Sequence, residues 1–447
     1  MKSHCIKTAL LAAALAGALH ASATPSAPAG EGGQPENDLK LVAASMPKYV
    51  LRGEKIKYYV QIVNNGSAPV TSVTAQWLKD GQAVAEETVS GLDVAPQQQG
   101  SFALGSFALD QEGDYDIALK ISRVNGKEDE RAEDNLSPTV RTYCRSKLEK
   151  RKTLLEFFST EKCTACPSAH YAIDEALDGK DGLVEIGHHA GYKTDRYTIA
   201  ESTAMEWFYR SGNTYAPAIM VDRNNVGGVF SSLFADNVPV VGATAENAQA
   251  LYEESQSVPA LVSVNMSASI DNRKLYLNVS GKQLLPIDTP DSVRLYVYLT
   301  EDSIYTGNQA GAGSSFYHRF SARKSLTPTW GEAIDVAGYS GDFSFYIPKT
   351  WNIANVRVVA FVANYNATDK NDCRVLNTEE LRVSDAQNVT GIGEHRPRDD
   401  AFWQLVSASG VVLDSGSGAE KLASSIARQG HGLLIIRTKD HAVKVFR

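Results

Sequence analysis

The sequence predicts a multi-domain α+β protein in which one α/β domain lies between two β-sandwiches, with a further small β-sandwich at the C-terminus. The chain has 447 residues, 43% of them hydrophobic, which is enough for several cores. Apolar and polar residues alternate before about residue 145 and again after about residue 258, as in half-buried strands. Between these segments, strand-length apolar runs alternate with helical patterns.

The N-terminal residues have the pattern of a secretory signal. Two lysines precede an apolar run over Ala9–Leu19, and Ala21-Ser22-Ala23 offers a small-residue cleavage site. We therefore expect a signal peptide over residues 1–23 and a flexible, Ala/Pro/Gly-rich leader over residues 24–37. No Cys stands at the cut, so a lipoprotein anchor is not expected.

Charge and hydropathy exclude two classes of partner. The formal net charge is −8, and removal of the two signal-peptide lysines changes it to −10. A mildly acidic chain without a clustered basic patch is not expected to bind nucleic acid. No later segment is long and apolar enough to predict a transmembrane helix.

Residues 38–145 predict the first β-sandwich. Apolar residues alternate over Tyr58–Ile62, and the turn signals Asn65-Gly66, Asp80-Gly81 and Asn125-Gly126 separate successive strands. The segment resembles the immunoglobulin-like CARDB adhesion modules of bacterial surface proteins. The resemblance is carried by Asn37-Asp38-Leu39, Val63-Asn64-Asn65-Gly66 and Glu133-Asp134-Asn135.

A CxxC motif in the central segment, residues 146–257, suggests redox chemistry. A buried strand over Leu154–Phe158 leads through a polar loop to Cys163 and Cys166, and a helix is predicted from Ser168 to about Leu177. The free N–H groups and positive dipole end of a helix favour a thiolate. Strand, loop and CxxC at a helix start is the arrangement of a thioredoxin-type dithiol site.

The rest of the central segment predicts a thioredoxin-like order of elements. Strands are expected at residues 182–188 and 218–221, and helices at 198–211 and 244–255. Pro217 precedes the later strand. The thioredoxin-like resemblance implies that Pro217 is a cis proline beside the CxxC, where it shapes the substrate groove.

Alternation returns over residues 258–385, which predicts a second β-sandwich. Residues 386–400 have the composition of a linker, and residues 401–447 contain short strands between glycines. This last segment resembles the type A sorting domain of type IX secretion, through Trp403–Asp414, Gly432–Arg437 and Lys444-Val445. That resemblance implies a small β-sandwich recognised by the export machinery.

From about Thr153 to Val383 the chain resembles the secreted thioredoxin-like family of 28-kDa outer-membrane proteins of Bacteroidetes. The matching residues are Glu156-Phe157-Phe158, Cys163–Pro167 with His170, Gly187-His188-His189, Trp207-Phe208-Tyr209, Pro217, Val221-Asp222, Tyr317-His318, Trp330-Gly331 and Val358–Val362. Lys162 departs from the family, which usually has an aromatic residue before the first Cys. The His-rich segment of the family is reduced here to Tyr317-His318-Arg319.

The candidate catalytic residues are Cys163, Cys166, Pro217 and Glu156. Cys163 would be the nucleophile and Cys166 the resolving thiol; the alternative is a stable structural disulfide. Glu156 precedes Cys163 by seven residues and would assist proton transfer from Cys166, as a buried acid does in thioredoxins. The alternative is a solvated glutamate at a strand edge.

The other cysteines and histidines leave two questions open. His170, His188 and His189 are weak candidates for a metal site with the CxxC, since two Cys and two His suit Zn or Cu, but we expect no cofactor. Cys144 and Cys373 either form a structural disulfide with each other or remain free or exchange-active thiols.

Two functions from different classes follow. The first is a surface-attached or secreted thiol–disulfide oxidoreductase that acts on envelope proteins. The second is a non-enzymatic adhesin or binding protein that uses the thioredoxin fold as a scaffold. Both predict a location at the outer membrane or cell surface, protein substrates or surface partners, and recognition by the type IX export machinery.

Overall fold

The computed structural model describes residues 35–208, 215–224, 239–388, 402–407, 411–429, 433–438 and 442–446. The predicted signal peptide, most of the leader and residues 389–400 of the predicted linker lie outside this part of the chain. The Cα positions divide into two compact units. The first contains residues 1–264, 281–339 and 359–379, and the second contains residues 265–280, 340–358 and 380–447.

The N-terminal part of the first unit is a β-sandwich. One sheet has the order β1-β3-β6, and the other has the order β2-β9-β7-β4-β5 with β8 paired to β7. The strands are β1 (Leu39–Ser45), β2 (Tyr49–Leu51), β3 (Tyr58–Asn64), β4 (Val70–Lys79), β5 (Gln82–Val94), β6 (Gln99–Leu104), β7 (Gly113–Val124), β8 (Lys127–Glu128) and β9 (Val140–Arg145). Alternate residues of β3 are buried, and Tyr58 packs edge-on against Trp77 in the core shared by both sheets.

The central part of the first unit is built on a nine-stranded mixed sheet. Its order is β13-β12-β10-β11-β19-β16-β22-β23, and β20 pairs with β16. The strands are β10 (Thr153–Ser159), β11 (Leu183–His189), β12 (Ala218–Val221), β13 (Val240–Gly242), β16 (Val293–Glu301), β19 (Ser321–Ser325), β20 (Glu332–Ala333), β22 (Val356–Asn364) and β23 (Val375–Arg382). β10 is parallel to β11 and antiparallel to β12.

This sheet shows that the predicted fold class is wrong. Among the described residues, no separate thioredoxin-like α/β domain lies between two sandwiches, because strands from residues 146–257 and from residues 258–385 share one sheet. The two groups join where β11 meets β19, at Gly187 and Ser321. A β-carbon on Gly187 would lie 2.7 Å from the carbonyl oxygen of Arg319, so the glycine permits the close approach of the two strands. The described fold is mostly β.

Helices lie on both faces of this sheet. The described helices of this part are α1 (Cys166–Leu177), α2 (Ala200–Ala204) and α3 (Ala245–Ser255). α1 and α3 pack together, and Ile173 and Leu251 share an apolar cluster with Phe157 of β10. A 3₁₀ turn, Met205–Phe208, follows α2, and the predicted helix over 198–211 extends beyond the described residues. A short hairpin of β17 (Ile304–Thr306) and β18 (Phe316–His318) completes this part.

The second unit contains two small sheets. The first has the order β21-β15-β14-β24, with β14 (Asn265–Asp271), β15 (Lys274–Gly281), β21 (Tyr339–Tyr346) and β24 (Gln387–Asn388). The second has the order β26-β25-β27-β28, with β25 (Phe402–Ser407), β26 (Val412–Ser417), β27 (Leu433–Thr438) and β28 (Ala442–Phe446).

The C-terminal segment differs from the predicted β-sandwich. Its four strands form a single antiparallel sheet, and α4 (Ala419–Ala427) packs against it. Leu422 and Ile426 of this helix share a buried cluster with Trp403 of β25. The helix therefore covers the apolar face that a second sheet was expected to cover. Within the described residues, no helix has the length and apolarity needed to cross a membrane.

Candidate functional site

The CxxC motif lies at the carboxyl end of β10 and the start of α1. Cys163 and Cys166 form a disulfide with their Cα atoms 5.4 Å apart. α1 begins at Cys166, and Pro167 occupies its first turn, where the missing N–H costs no helical hydrogen bond. Cys166 is fully buried, whereas Cys163 retains 5% of its surface. Of the two sulfur-bearing residues, Cys163 is therefore the more accessible.

A loop from the β17–β18 hairpin covers the motif. We call residues 307–315 the cover loop. The Gln309 side-chain amide donates hydrogen bonds to the carbonyl oxygens of Thr160 (3.2 Å) and Cys163 (2.9 Å). Gly311 has a φ of +81°, and a β-carbon at this position would overlap the carbonyl oxygen of Thr164. The cover loop thus contacts the backbone of the CxxC loop on both sides of Cys163.

Pro217 borders the same edge of the sheet. The Ala216–Pro217 peptide bond is cis. Phe158 of β10 pairs with Ala218 of β12, so the register places Pro217 beside Ser159, the last residue of β10. Pro217 and the CxxC loop therefore lie at the same end of β10.

Glu156 is held in a buried salt bridge on β10. It is fully buried, and Arg223 donates to its two carboxylate oxygens from Nε and Nη2, both at 2.8 Å. His188 Nε2 lies 3.2 Å from Oε1 of the same carboxylate. Burial alone would raise the pKa of Glu156, but the charge and hydrogen bonds of Arg223 lower it to about 2. The carboxylate is therefore ionised at neutral pH and occupied by a bidentate partner.

Arg223 is the site residue that the sequence did not predict. Its guanidinium carbon lies 4.8 Å from the ring centroids of both Tyr296 and Phe361, and its backbone has a φ of +49°. Burial would lower its pKa, but the charge of Glu156 raises it overall. The available signal was the pair Asp222-Arg223 directly after the apolar strand β12, because charges at the end of a buried strand need partners.

The three candidate histidines do not converge on a common point. His170 packs against the ring of Phe157, with centroids 4.1 Å apart, and burial lowers its pKa to about 3. His188 lies between Glu156 and Ser202, whose Oγ is 2.9 Å from Nδ1. Within the described residues, no three His, Cys, Asp or Glu side chains are arranged to hold a metal ion.

His189 occupies a separate polar network. Its Nδ1 lies 2.7 Å from Asp195 Oδ2, and its Nε2 lies 3.2 Å from Ser321 Oγ. Ser321 is fully buried on β19. The network therefore orients side chains inside the sheet and is closed to a substrate.

The suggested disulfide between Cys144 and Cys373 is absent from the described structure. Cys144 is buried in the core of the first sandwich, and Cys373 is buried in a different cluster that contains Phe208. Desolvation raises the pKa of both thiols. Both residues are accommodated as small buried apolar groups, which satisfies each core without a covalent bond.

Comparisons with known families identify two regions of the chain. Residues 214–386 match the profile of the outer membrane protein Omp28 family, and residues 36–138 match the CARDB profile. No curated protein matches the chain.

Among solved structures, HBP35 of Porphyromonas gingivalis is similar to this chain at 15% sequence identity and a TM-score of 0.45. The match covers 67% of this chain and 99% of the HBP35 chain. A domain of the outer membrane lipoprotein Omp28 from Porphyromonas gingivalis is 19% identical, over 29% of this chain and 90% of that one, with a TM-score of 0.20. The CARDB domain of PF1109 from Pyrococcus furiosus, solved in complex with di-metal ions, is 21% identical over 24% of this chain and 93% of that one, with a TM-score of 0.20.

The Omp28 match agrees with the location predicted from the sequence. The chain therefore carries an Omp28-family region and a CARDB domain, and it is an outer-membrane or cell-surface protein.

Proposed function

We propose that this surface protein exchanges disulfides with envelope proteins through Cys163 and Cys166. The observation that carries the proposal is the asymmetry of the pair. The two residues form a disulfide at the start of a helix, and Cys163 keeps 5% of its surface exposed whereas Cys166 keeps none. A partner thiolate would therefore meet the Cys163 sulfur first, and the helix N-terminus would favour the thiolate that leaves.

The exchange balances without a cofactor. A substrate thiolate attacks the sulfur of Cys163, the Cys163–Cys166 bond breaks, and Cys166 leaves as a thiolate. The second substrate thiol, once deprotonated, attacks the substrate sulfur of the mixed disulfide, and Cys163 is released as a thiolate. The substrate dithiol has then lost two electrons and two protons, and the protein has become a dithiol. The reverse sequence reduces a substrate disulfide.

Pro217 and Glu156 take supporting roles in this proposal. Pro217 lies at the same end of β10 as the CxxC loop and would shape the groove in which a substrate strand lies. Because the carboxylate of Glu156 is bound by Arg223, its role in this proposal is to hold β10 in position. The resolving and nucleophilic roles remain with Cys166 and Cys163.

The cover loop favours a second candidate function. Cys163 is 95% shielded, and the side-chain amide of Gln309 donates a hydrogen bond to its carbonyl oxygen. Both observations are expected for a purely structural disulfide that links the CxxC loop to α1. In that case the protein is a non-enzymatic adhesin or binding protein, and its partners contact another surface.

Turnover of insulin disulfides by the full chain, with dithiothreitol as the reductant, separates the two functions. Exchange predicts turnover that is lost in Cys163→Ser and retained in Cys144→Ala, which removes a buried thiol from the core of the first sandwich. A folded protein without turnover above the dithiothreitol background contradicts the enzymatic proposal and supports the second candidate.

We also propose that residues 1–23 and 401–447 direct export, the first as a signal peptide and the second as a type IX sorting domain. Deletion of residues 401–447 should leave the protein in the periplasm. The protein should reach the surface when the segment is restored. Surface display of the deletion variant would contradict this assignment.

A further inference from the structure

The first sandwich contains a buried acidic residue whose charge is poorly compensated. Asp38 is 1% exposed, and no described residue donates a hydrogen bond to either of its carboxylate oxygens. Nearby, Asn135 is fully buried, and neither atom of its side-chain amide has a hydrogen-bond partner among the described residues. The same holds for Oδ1 of Asp134. Buried polar atoms almost always have partners, so these five orphaned atoms, four oxygens and the amide nitrogen of Asn135, require an explanation.

Hydrogen bonds to backbone groups fix the segments that carry these residues. Asp129 accepts hydrogen bonds from the backbone N–H groups of Leu39 (2.9 Å) and Arg131 (2.8 Å), which ties the start of β1 to the loop before the 3₁₀ turn Ala132–Asp134. β1 also contacts this turn directly. The carbonyl oxygen of Asn135 accepts from Ile121 N–H at 3.0 Å, which fixes the end of the turn on β7. The orphaned atoms therefore lie on segments that are already ordered.

The protein supplies little positive charge at this point. Arg131 lies beside Asp38, with Nη1 3.5 Å from Oδ2, but its side chain is 58% exposed, and Lys40, whose charge acts on Asp134, is also exposed. Burial raises the pKa of Asp38, and the neighbouring carboxylates of Asp129 and Asp134 raise it further, against the opposing charge of Arg131. One partly solvated arginine at this distance compensates a cluster of carboxylates only weakly.

We propose that Asp38, Asp134 and Asn135 bind one calcium ion at the junction of β1 and the 3₁₀ turn. The described side chains do not form a ready-made cage of three carboxylates, so the ion would draw on two carboxylates, one amide oxygen, and further backbone carbonyls or water. All available donors are oxygen, which suits a hard cation and excludes the sulfur and imidazole sets preferred by zinc. Calcium accepts six to eight oxygen ligands in flexible geometry, as this mixed set requires.

The ion would stabilise the start of the first sandwich. It would link β1, the N-terminal strand of its sheet, to the turn that leads into β9. At a cell surface, an affinity of about 10⁻⁴–10⁻³ M is sufficient, since extracellular calcium modules work in that range. This site is separate from the CxxC motif and independent of any redox function.

The test uses the full chain after treatment with EDTA. Titration with CaCl₂ should show one site with a Kd of about 10⁻⁴–10⁻³ M, and about 10 mM Ca²⁺ should raise the unfolding temperature of the sandwich by about 4 °C or more. Trp77, in the core of the sandwich, is the local fluorescent reporter. Asp38→Asn should weaken binding at least tenfold, whereas the matched control Asp93→Asn, an exposed residue on β5, should bind like the wild type.

Asp134→Asn provides a second variant if Asp38→Asn fails to fold, and it should also weaken binding. The proposal is overturned if the wild-type protein shows neither binding nor a temperature shift at about 10 mM Ca²⁺, tenfold above the weakest expected Kd. It is also overturned if both acidic variants bind Ca²⁺ as tightly as the wild type. None of these outcomes depends on disulfide exchange.

Discussion

Replacement of Arg223 by Met tests the role of the buried ion pair between Arg223 and Glu156 of β10. The folded-state pKa of Glu156 is lowered from 4.5 to about 2, and one pKa unit corresponds to about 1.4 kcal/mol. The pairing therefore contributes about 3 kcal/mol at neutral pH. Arg223→Met leaves the Glu156 carboxylate buried with only His188 beside it, and such a loss typically costs about 3–5 kcal/mol.

Urea unfolding followed by tryptophan fluorescence measures this effect. Arg223→Met should lower the free energy of unfolding by about 3–5 kcal/mol at pH 7, and the double variant with Glu156→Leu should recover most of the loss, because both charges are then absent. Arg141→Met is the control: Arg141 pairs with Asp116 at the surface, where both side chains are 49% exposed, and should cost about 1 kcal/mol or less.

The stability that the ion pair contributes should fall at low pH. Because the folded-state pKa of Glu156 lies below its unfolded value, its stabilisation is complete above pH 4.5 and is lost as the pH falls towards about 2. The wild type should therefore lose more stability over this window than the double variant. A loss below about 1 kcal/mol in Arg223→Met at pH 7 would refute the account of the ion pair.

Two further predictions concern the cover loop and the other cysteines. In Gly311→Ala the new β-carbon overlaps the Thr164 carbonyl, so the loop should be displaced and dithiothreitol should reduce the CxxC disulfide roughly fivefold faster or more, since overpacking costs about 1–3 kcal/mol. Gly313→Ala, with a similar φ but open space around it, is the control, and equal rates in both variants would show that the loop does not limit access. Titration of the denatured, processed protein with a thiol reagent should find two free thiols, Cys144 and Cys373, and their absence would contradict the structure.

Local patterns predicted the elements of the fold well. Alternation in β3 identified the buried residues Tyr58, Val60 and Ile62, because the side-chain period of a strand is visible in sequence. The strand before the CxxC and the helix after it also follow from local signals: the helix was predicted from Ser168 and begins at Cys166.

The assembly of those elements was not predictable in the same way. The join of β11 to β19 pairs Gly187 with Ser321, two residues far apart in sequence, and no local signal specifies such a pairing. The partner of Glu156 lies 67 residues away, and the amide that covers Cys163 lies 146 residues away on Gln309. A domain boundary drawn where the hydrophobic pattern changes consequently divided a single sheet.

The reduction potential of the Cys163–Cys166 pair in the purified protein tests the central claim most directly. Disulfide exchange predicts a potential above about −300 mV, in the range of known oxidoreductases. A potential well below about −300 mV would identify a structural disulfide that resists reduction and would contradict the proposed function.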